Sequence, residues 1–458
     1  MLRKKKGVAI VACMLMLILV LAACNNGSPA EPPAEQPAAP SGTQEPAEPP
    51  AATEDPVEIT YWQQVRNAGE SLPDFEALAV EFNKEHPNVT VKVDEVPSAD
   101  IATTVETAIM GGTQPDVLRD TMMRIGKYAN NDLLADVSDM YPDLKSEFVG
   151  AAVDVGTING VVCGIPGDLA GYGSIINMDL VRAAGAEDLV PSDPERTWTR
   201  EEYEALLKAV TKDGVTGTAY WAGNEQSDVD TKTLIEGGTG FSLFTDDFSK
   251  IRYDEPRAIE GVTWLKSIID QGLAVKGAET LVDDDGWELF AQQKIAVLST
   301  NVWAVAWIRD RAESGEIEPF EMRIVQYPNI EGETPKTPAN VTVYSVFDKG
   351  DPDKVAWGKE WIKFVSESEA EKRCNLAQGT YSARLDRADM YSDDPEFGWV
   401  SSVLLNYGYN PGYAAPTYQD TRYILFPEMQ AVFSEQKTPE QAMLDFTEQA
   451  NKLIADLG

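Results

Sequence analysis

The chain has 458 residues, about three times the common domain size, which favours at least two lobes over one compact domain. Apolar residues make up 43% and charged residues 25%, a mixture typical of a chain that folds. The 38 Lys and Arg residues against 75 Asp and Glu give a net charge of −37, which makes nucleic acid a poor partner. Such a charge predicts a well-solvated surface but identifies no ligand.

The beginning of the chain has the pattern of an export signal. Arg3 to Lys6 are basic, and the seventeen residues 7–23 carry no charge. Seventeen residues also stand at the lower edge of the length that spans a membrane, so a retained helix is the alternative. Leu21-Ala22-Ala23-Cys24 resembles the lipobox of bacterial lipoproteins. The resemblance implies that residues 1–23 are a signal peptide and that a diacylated Cys24 anchors the protein to the outside of the bacterial cell membrane.

A tether is predicted after the lipid-attachment cysteine. From Pro29 to Pro56 the chain is almost entirely Pro, Ala, Glu, Ser and Thr, a composition that cannot bury enough apolar surface to fold. We therefore predict that residues 24–56 are a disordered spacer. In the polyproline conformation, its twenty-eight residues from 29 to 56 would reach about 85 Å.

The folded body opens with alternating strand and helix patterns. Residues 57–62 alternate in polarity as a strand does, residues 73–87 have helical spacing, and residues 89–94 alternate again. Residues 101–112 predict a second helix that ends at a glycine pair, and residues 115–118 lead into a short strand. This order favours a parallel α/β sheet. Later helix starts are marked by Thr199 with Glu202, by Asp351 with Pro352, and by Thr438 with Gln441.

Short motifs follow one another along this body. They are ITYW at 59–62, the helix from 75 that ends at Pro87, GGTQPDV at 111–117, LLADV at 133–137, NGVVCGIP at 159–166, INMDL at 176–180, TW at 197–198, the segment 290–303, and GTYSAR at 379–384. In this order they resemble the extracellular solute-binding proteins of bacterial ABC importers (family 1), in the sugar-binding branch that includes maltose-binding protein. The resemblance covers nearly the whole body.

Four places depart from the motifs of that family. Cys163 replaces a tyrosine, Gln293 a glycine, residues 300–302 the stretch before a tryptophan, and Ser382 a proline. Several of these positions line or border the ligand cleft in relatives. The departures therefore leave the expected fold intact and the identity of the ligand open.

The resemblance implies an α/β, two-lobed periplasmic-binding-protein-like fold (type II), with a ligand cleft between the lobes and a hinge of crossing segments. We expect residues 57–166 and 299–344 in the N-terminal lobe, and residues 167–298 and 345–458 in the C-terminal lobe. Cys163 and Cys374 would then lie in different lobes. One disulfide is conceivable, but this placement favours two buried free thiols.

A sugar presents C–H faces that stack on aromatic rings and hydroxyls that need donors and acceptors. By resemblance to family cleft positions, and for the last two from a Gly-rich segment at 407–416 that also holds Tyr409, the candidate ligand-binding residues are Trp62, Gln63, Arg119, Asp120, Asp168, Tyr172, Tyr220, Trp221, Asn301, Trp303, Arg384, Tyr407 and Tyr413. Each has a packing role as its alternative, because most of the 10 Trp and 16 Tyr in such a chain serve the core and the lobe surfaces.

Metal and cofactor chemistry have little support in the sequence. Asp283-Asp284-Asp285 lacks the spacing of a calcium loop and is predicted to be a solvated acidic turn or helix start. His86 is the only histidine, and we expect it to be exposed at a helix end. One histidine can build neither a catalytic triad nor a His-rich metal site. We expect no cofactor and no metal.

The prediction for function is a substrate-binding lipoprotein of an ABC transporter. It would capture a mono- or oligosaccharide outside the membrane and deliver it to the permease subunits, as a monomer and without catalysis. The alternatives are an exported glycan-active enzyme, which needs only two carboxylates and aromatic platforms, a binder of a polyamine or a polyol phosphate, and a purely structural surface lipoprotein.

Overall fold

The computed structural model describes residues 55–65, 72–98, 100–239, 241–245, 247–338, 340–413 and 415–457. The predicted signal peptide, Cys24 and the predicted tether up to residue 54 lie outside these residues. All the described residues belong to one compact unit.

A six-stranded sheet contains the first strands of the body. Its members are β1 (Val57–Val65), β2 (Val89–Pro97), β3 (Val117–Thr121), β6 (Ile165–Ala170), β12 (Asn340–Val346) and β13 (Tyr381–Ser382), in the spatial order β13-β6-β12-β3-β1-β2. β1 runs parallel to β2 and β3, whereas β12 is antiparallel to β3 and β6. The predicted parallel start of the fold is therefore confirmed.

A four-stranded sheet forms the second layer of strands. Its members are β7 (Tyr172–Asn177), β8 (Thr216–Thr218), β9 (Ile295–Asn301) and β10 (Met322–Val325), in the order β10-β7-β9-β8. Two short pairs complete the described strands, namely β4 (Thr157–Ile158) with β5 (Val161–Val162) and β11 (Thr337–Pro338) with β14 (Gly408–Tyr409).

The α-helices of the described chain surround these sheets. They are α1 (Leu72–Glu85), α2 (Ile101–Gly111), α3 (Met122–Ala129), α4 (Leu144–Glu147), α5 (Gly150–Val155), α6 (Met178–Ala184), α7 (Arg200–Val210), α8 (Thr231–Thr239), α9 (Pro256–Asp270), α10 (Asp283–Ala291), α11 (Ala304–Glu313), α12 (Pro352–Ser366), α13 (Glu369–Gln378), α14 (Pro395–Ser402), α15 (Tyr418–Phe433) and α16 (Pro439–Leu457). None of the helices described is long and apolar enough to span a bilayer.

Local signals place several of these elements. Gly112 ends α2 with a left-handed backbone (φ 66°), as the glycine pair predicts. Thr199 and Glu202 form the predicted capping box at the start of α7. The acidic run at Asp283 occupies the first turn of α10, where a helix dipole favours negative charge. Aromatic packing then fixes α12 on the sheet, with the rings of Tyr61 and Trp361 5.6 Å apart.

The chain divides between the two sheets differently from the predicted lobe limits. Strands at 295–301 and 322–325 lie in the four-stranded sheet, although residues 299–344 are predicted in the N-terminal lobe. Conversely, the strand at 381–382 pairs with β6 in the six-stranded sheet. A buried strand has the same hydrophobic pattern in either sheet, so the sequence does not indicate which sheet it joins.

Two smaller expectations also need correction. His86 is half-buried, because its ring packs 4.5 Å from the Phe82 ring and 5.0 Å from the Trp357 ring. Cys374 lies on α13 beside β1, with its Sγ 3.7 Å from Gln63 Nε2, and Cys163 lies just before β6. Both cysteines therefore pack in the half of the molecule that holds the six-stranded sheet. Both are buried, and neither is part of a disulfide.

Candidate ligand-binding site

Three segments of the chain connect the half that holds the six-stranded sheet with the half that holds the four-stranded sheet. The first is the junction of β6 and β7 at Gly171, the second runs from β10 to β12, and the third runs from β13 to α15. The second and third segments pair with each other as β11 and β14. Crossing segments of this kind are where two lobes can rotate relative to each other. The candidate site is the region between the two halves that these segments join.

Helices α3 and α15 meet across this region. α3 follows β3 of the six-stranded sheet, whereas α15 packs on α9, α16 and the turn at Glu225–Val229 in the other half. Partial burial lowers the pKa of Lys127 on α3, but its 2.8 Å hydrogen bond to Glu106 and the charge of Asp420 on α15 raise it above the ordinary lysine value. Opposite charges thus face each other between the halves.

Asp120 and Arg124 form a rigid charged pair at the end of β3 and the start of α3. The Arg124 Nε donates to both Asp120 carboxylate oxygens, at 3.0 and 2.8 Å, and both side chains are buried. Burial lowers the pKa of Arg124, but the charge and hydrogen bond of Asp120 raise it above its ordinary value. The spacing of four residues on a helix brings the two groups together. The pair offers fixed donors and acceptors at the α3 end of the region.

A second buried pair lies inside the six-stranded sheet. Arg119 Nη2 donates to Asp168 Oδ2, and both side chains are almost completely buried. Gln63 is also fully buried; its Oε1 accepts a 2.6 Å hydrogen bond from Tyr61. Desolvation raises the pKa of Tyr61 well above its ordinary value, so this phenol remains protonated. The structure brings Gln63, Arg119 and Asp168 into one half of the molecule.

The predicted residues at the β7–β9 junction are also neighbours. Tyr172 pairs with Asn301 across the two strands, and Asn301 Oδ1 accepts from the Trp303 backbone N at 3.1 Å. The Trp303 ring packs edge-on against Trp287, with centroids 4.6 Å apart, and remains half-buried. Trp303 as a whole is therefore only partly buried.

The remaining predicted residues lie in several places. Tyr220 and Trp221 are completely buried, and Tyr220 shares a 3.3 Å hydroxyl contact with Tyr203. Tyr413 is buried against the Tyr418 ring at 5.0 Å. Trp62 on β1 and Tyr407 after α14 are half-buried. Their contribution to binding stays a prediction.

Arg384 is not grouped with the other predicted residues. Its guanidinium donates to Asp386 at 3.0 Å and to Glu147 at 3.4 Å, and it lies over the Phe148 ring at 5.4 Å. These partners belong to α4 and the turn after β13, in the half that holds the six-stranded sheet. Its role in the site stays a prediction.

Sequence reasoning missed a group of buried polar residues in the half that holds the four-stranded sheet. Every side chain of α8 is buried although the helix contains Lys232, Glu236 and three threonines. Arg422 on α15 donates to Gln226 at 2.8 Å and to Gln419 at 3.2 Å. The sequence TKTLIEGGT does contain a signal for this group, because it has no apolar stripe. A buried helix of this kind must place polar side chains among polar partners.

Glu236 joins α8 to the third crossing segment. Its carboxylate accepts from Tyr409 of β14, from Tyr253 at 3.1 Å and from the Leu243 backbone N at 3.0 Å. Lys232 Nζ lies 3.8 Å away. These partners satisfy a buried carboxylate and fix the crossing segment to the helix.

Two surface cavities are separate from the predicted residues. One, of about 490 Å³, lies between α7 and α9, and the other, of about 370 Å³, lies between α11 and α13. None of the predicted ligand-binding residues lines either of them. In the part of the chain that the structure describes, no group of three acidic, cysteine or histidine side chains could hold a metal ion.

Solved structures share this fold over most of the chain. An ABC substrate-binding protein of Listeria monocytogenes, in complex with cycloalternan, matches with a TM-score of 0.72 and 22% identity, over 88% of this chain and 100% of that one. The GacH receptor of Streptomyces glaucescens gives 0.70 and 18% over 88% and 100%. Maltose-bound MalE3 of T. maritima gives 0.71 and 17% over 87% and 100%. The two-lobed periplasmic-binding-protein fold is therefore confirmed.

Sequence comparison points to the same kind of protein. An uncharacterized lipoprotein of Streptomyces antibioticus is 25% identical over 246 residues, or 54% of this chain and 49% of the relative, so the match spans about half of that relative. A binding protein of Brucella abortus is 20% identical over 83% of this chain and 90% of its own length. The profile of the bacterial extracellular solute-binding proteins matches residues 68–372, which is most of the folded body. The chain belongs to this family of extracytoplasmic solute-binding proteins.

Proposed function

We propose that the protein captures a mono- or oligosaccharide between its two halves and delivers it to the membrane subunits of an ABC importer. The observation that carries the proposal is the shared fold with proteins solved with cycloalternan and with maltose, each covered completely by this chain. A fold alone does not determine a ligand. The polar and aromatic side chains between the halves supply the chemical argument.

The chemistry of the region suits a ligand with many hydroxyl groups. Asp120 with Arg124 on one side, and Gln226 with Arg422 on the other, are held in place by hydrogen bonds, and all but the half-buried Gln226 are buried. Such groups can donate to and accept from hydroxyls without being reordered. The half-buried ring of Trp303 offers a face for the C–H surface of a sugar.

Capture would proceed by rotation of the halves about the crossing segments. A ligand that touches both halves stabilises the closed arrangement, so its affinity includes the closure equilibrium. We assign residues 57–170 and 340–387 to one lobe and residues 172–325 and 418–457 to the other, on the basis of sheet membership and helix contacts. The residues between these ranges would form the hinge.

We further propose that a lipid on Cys24 holds the protein at the membrane. The lipobox-like sequence supports the anchor, as does the similarity to a Streptomyces lipoprotein. Tethering near a permease raises the effective concentration of the loaded protein there. The substrate would leave the protein unchanged, in keeping with a family of binding proteins.

A thermal-shift screen of the purified protein against maltose, longer α-glucans, monosaccharides, polyols and polyamines tests the proposal. A ligand that binds only the folded state must raise the melting temperature. Trp303→Ala is expected to abolish the shift produced by a sugar. Trp307→Ala is the matched control, because Trp307 is also half-buried on α11 and also packs on Trp287, with centroids 6.0 Å apart.

The outcomes separate the candidate functions. A sugar shift that is lost in Trp303→Ala and kept in Trp307→Ala supports carbohydrate capture at this site. A shift with a polyamine or a polyol phosphate alone contradicts the sugar assignment. Release of product from a glycan, followed by chromatography in the same samples, would favour the enzyme alternative.

A further inference from the structure

Thr337 lies where the crossing segments meet. Its side chain is completely buried, and its Oγ1 is bonded to both backbone groups of Tyr172. The Tyr172 N donates to the hydroxyl at 2.7 Å, and the hydroxyl donates to the Tyr172 carbonyl at 2.9 Å. Tyr172 is the first residue of β7, directly after the first crossing. One hydroxyl therefore joins the first crossing segment to the second.

The Thr337 hydroxyl bonds backbone groups of β7 beyond the point where the neighbouring strand β10 ends. β10 runs beside β7 from Asn177 only as far as Ser174, where Val325 is its last partner. On the other side of β7, the Gly171 carbonyl accepts from the Val302 backbone N at 3.0 Å. Because neighbouring residues of a strand point their backbone groups to opposite sides, those of Tyr172 point to the side that β10 has left. The hydroxyl of Thr337 bonds them there.

The position of Thr337 is fixed by its surroundings. Pro338 follows it, and a residue before proline is restricted to extended conformations. Thr337 and Pro338 also pair with Gly408 and Tyr409 of the third crossing segment. The neighbouring Lys336 N donates to the Gly237 carbonyl of α8 at 3.0 Å. Thr337 thus contacts the first and third crossing segments, and its own segment is hydrogen-bonded to α8.

We propose that Thr337 is a positioning residue of the hinge, whose hydroxyl holds the first crossing segment at a fixed distance from the other two and thereby sets how completely the lobes close. The effect on ligand affinity rests on the proposed function, whereas the effect on the unliganded protein does not. Rotation of the lobes must change the backbone near Gly171 and Tyr172. A hydroxyl bonded to both groups of Tyr172 confines that change to one axis.

Thr337→Val tests this role, because valine keeps the shape of threonine and loses the hydroxyl. We expect hydrogen exchange at the Tyr172 amide of the unliganded protein to become at least tenfold faster. We also expect small-angle X-ray scattering to report a larger radius of gyration, since the closed arrangement loses its constraint. Thr337→Ser, which keeps the hydroxyl, is the matched control and should restore the wild-type values. If Thr337→Val does not fold, Thr337→Ala removes the same hydroxyl with less crowding.

Affinity for maltose, or for whichever sugar shifts the melting temperature, should weaken at least fivefold in Thr337→Val and stay within twofold of wild type in Thr337→Ser. Wild-type exchange and scattering in Thr337→Val would overturn the proposal, as would a serine variant that behaves like valine. If the wild-type protein binds no sugar, the proposed function fails, and exchange and scattering still decide the role of Thr337.

Discussion

Two buried ion pairs lie close together beside the six-stranded sheet. Arg119 pairs with Asp168, and Arg387 Nη1 donates to Glu371 Oε2 at 2.9 Å. Breaking one member of such a pair leaves an uncompensated buried charge, which is strongly destabilising. Burial raises the pKa of Glu371 to about 7, and the nearby Arg119 and Arg387 oppose that shift. Glu371 therefore binds a proton more tightly in the folded protein than in the unfolded chain.

The contribution of Glu371 to stability should decrease as the pH rises. An unfolded glutamate titrates near pH 4.3, so the contribution is complete below that value and is lost as the pH rises through about 7. We expect Glu371→Gln, which cannot ionise, to remove on the order of 3 kcal/mol of pH dependence between pH 4 and 8. Urea unfolding at a series of pH values measures it. Glu369→Gln, exposed on the same helix, is the control; an equal pH profile in both variants would contradict the prediction.

The sequence predicts which residues end the strands better than it predicts the partners of those residues. Motif order led to Asp120, Asn301 and Trp303, which lie at the ends of strands in both halves. It did not lead to Arg124, Gln226 or Arg422, because the proximity of α3 to α15 exists only in the fold. Pairing across 300 residues of sequence has no local pattern that a single chain could show.

Element boundaries in the first part of the body follow from local rules. The strand at 57–62, the strand at 89–94 and the helix at 101–111 appear where apolar periodicity predicts them. Sheet membership after residue 298 does not follow, because it depends on which crossing the chain takes. Apolar periodicity also does not predict which glycines permit close contact between segments. Gly237 and Gly238 are poor helix formers within α8, but their lack of a side chain lets the second crossing segment pack directly on them.

Gly237→Ala should therefore destabilise the protein. A Cβ at this position would lie 2.6 Å from the Lys336 carbonyl oxygen, a backbone atom that cannot move away easily. We expect a loss of about 1 to 3 kcal/mol in the free energy of unfolding, measured in urea. Gly111→Ala at the end of α2 is the control, since its Cβ would meet nothing nearer than 3.6 Å. Equal stability of the two variants would show that the crossing segment tolerates displacement.

At the scale of the whole molecule, the two halves share few elements. The crossing segments connect them on one side, and α3 and α15 contact each other between them. Lys127 of α3 and Asp420 of α15 carry opposite charges there; burial raises the pKa of Asp420, and Lys127 lowers it. This attraction acts between the two halves.

A double-mutant cycle with Lys127→Gln and Asp420→Asn should detect that attraction. We expect a coupling of about 0.5 kcal/mol in the free energy of unfolding, which decreases as salt is added. The coupling should grow when a bound sugar holds the lobes together. The pair Lys92–Glu58 on adjacent strands, 2.8 Å apart, is the control, because both members lie in one sheet and their coupling should not respond to ligand. A ligand effect of equal size at both pairs would contradict the prediction.

The two buried thiols, Cys163 and Cys374, report on the local unfolding of one lobe. Cys163 and Cys374 are both buried and both pack beside the six-stranded sheet, so a thiol reagent can reach them only when that lobe unfolds locally or completely. The rate at which the native protein is alkylated therefore measures how often that lobe opens, and the other lobe does not contribute to it. That rate would distinguish a ligand that only brings the lobes together from one that also stiffens this lobe, with no mutation of the protein.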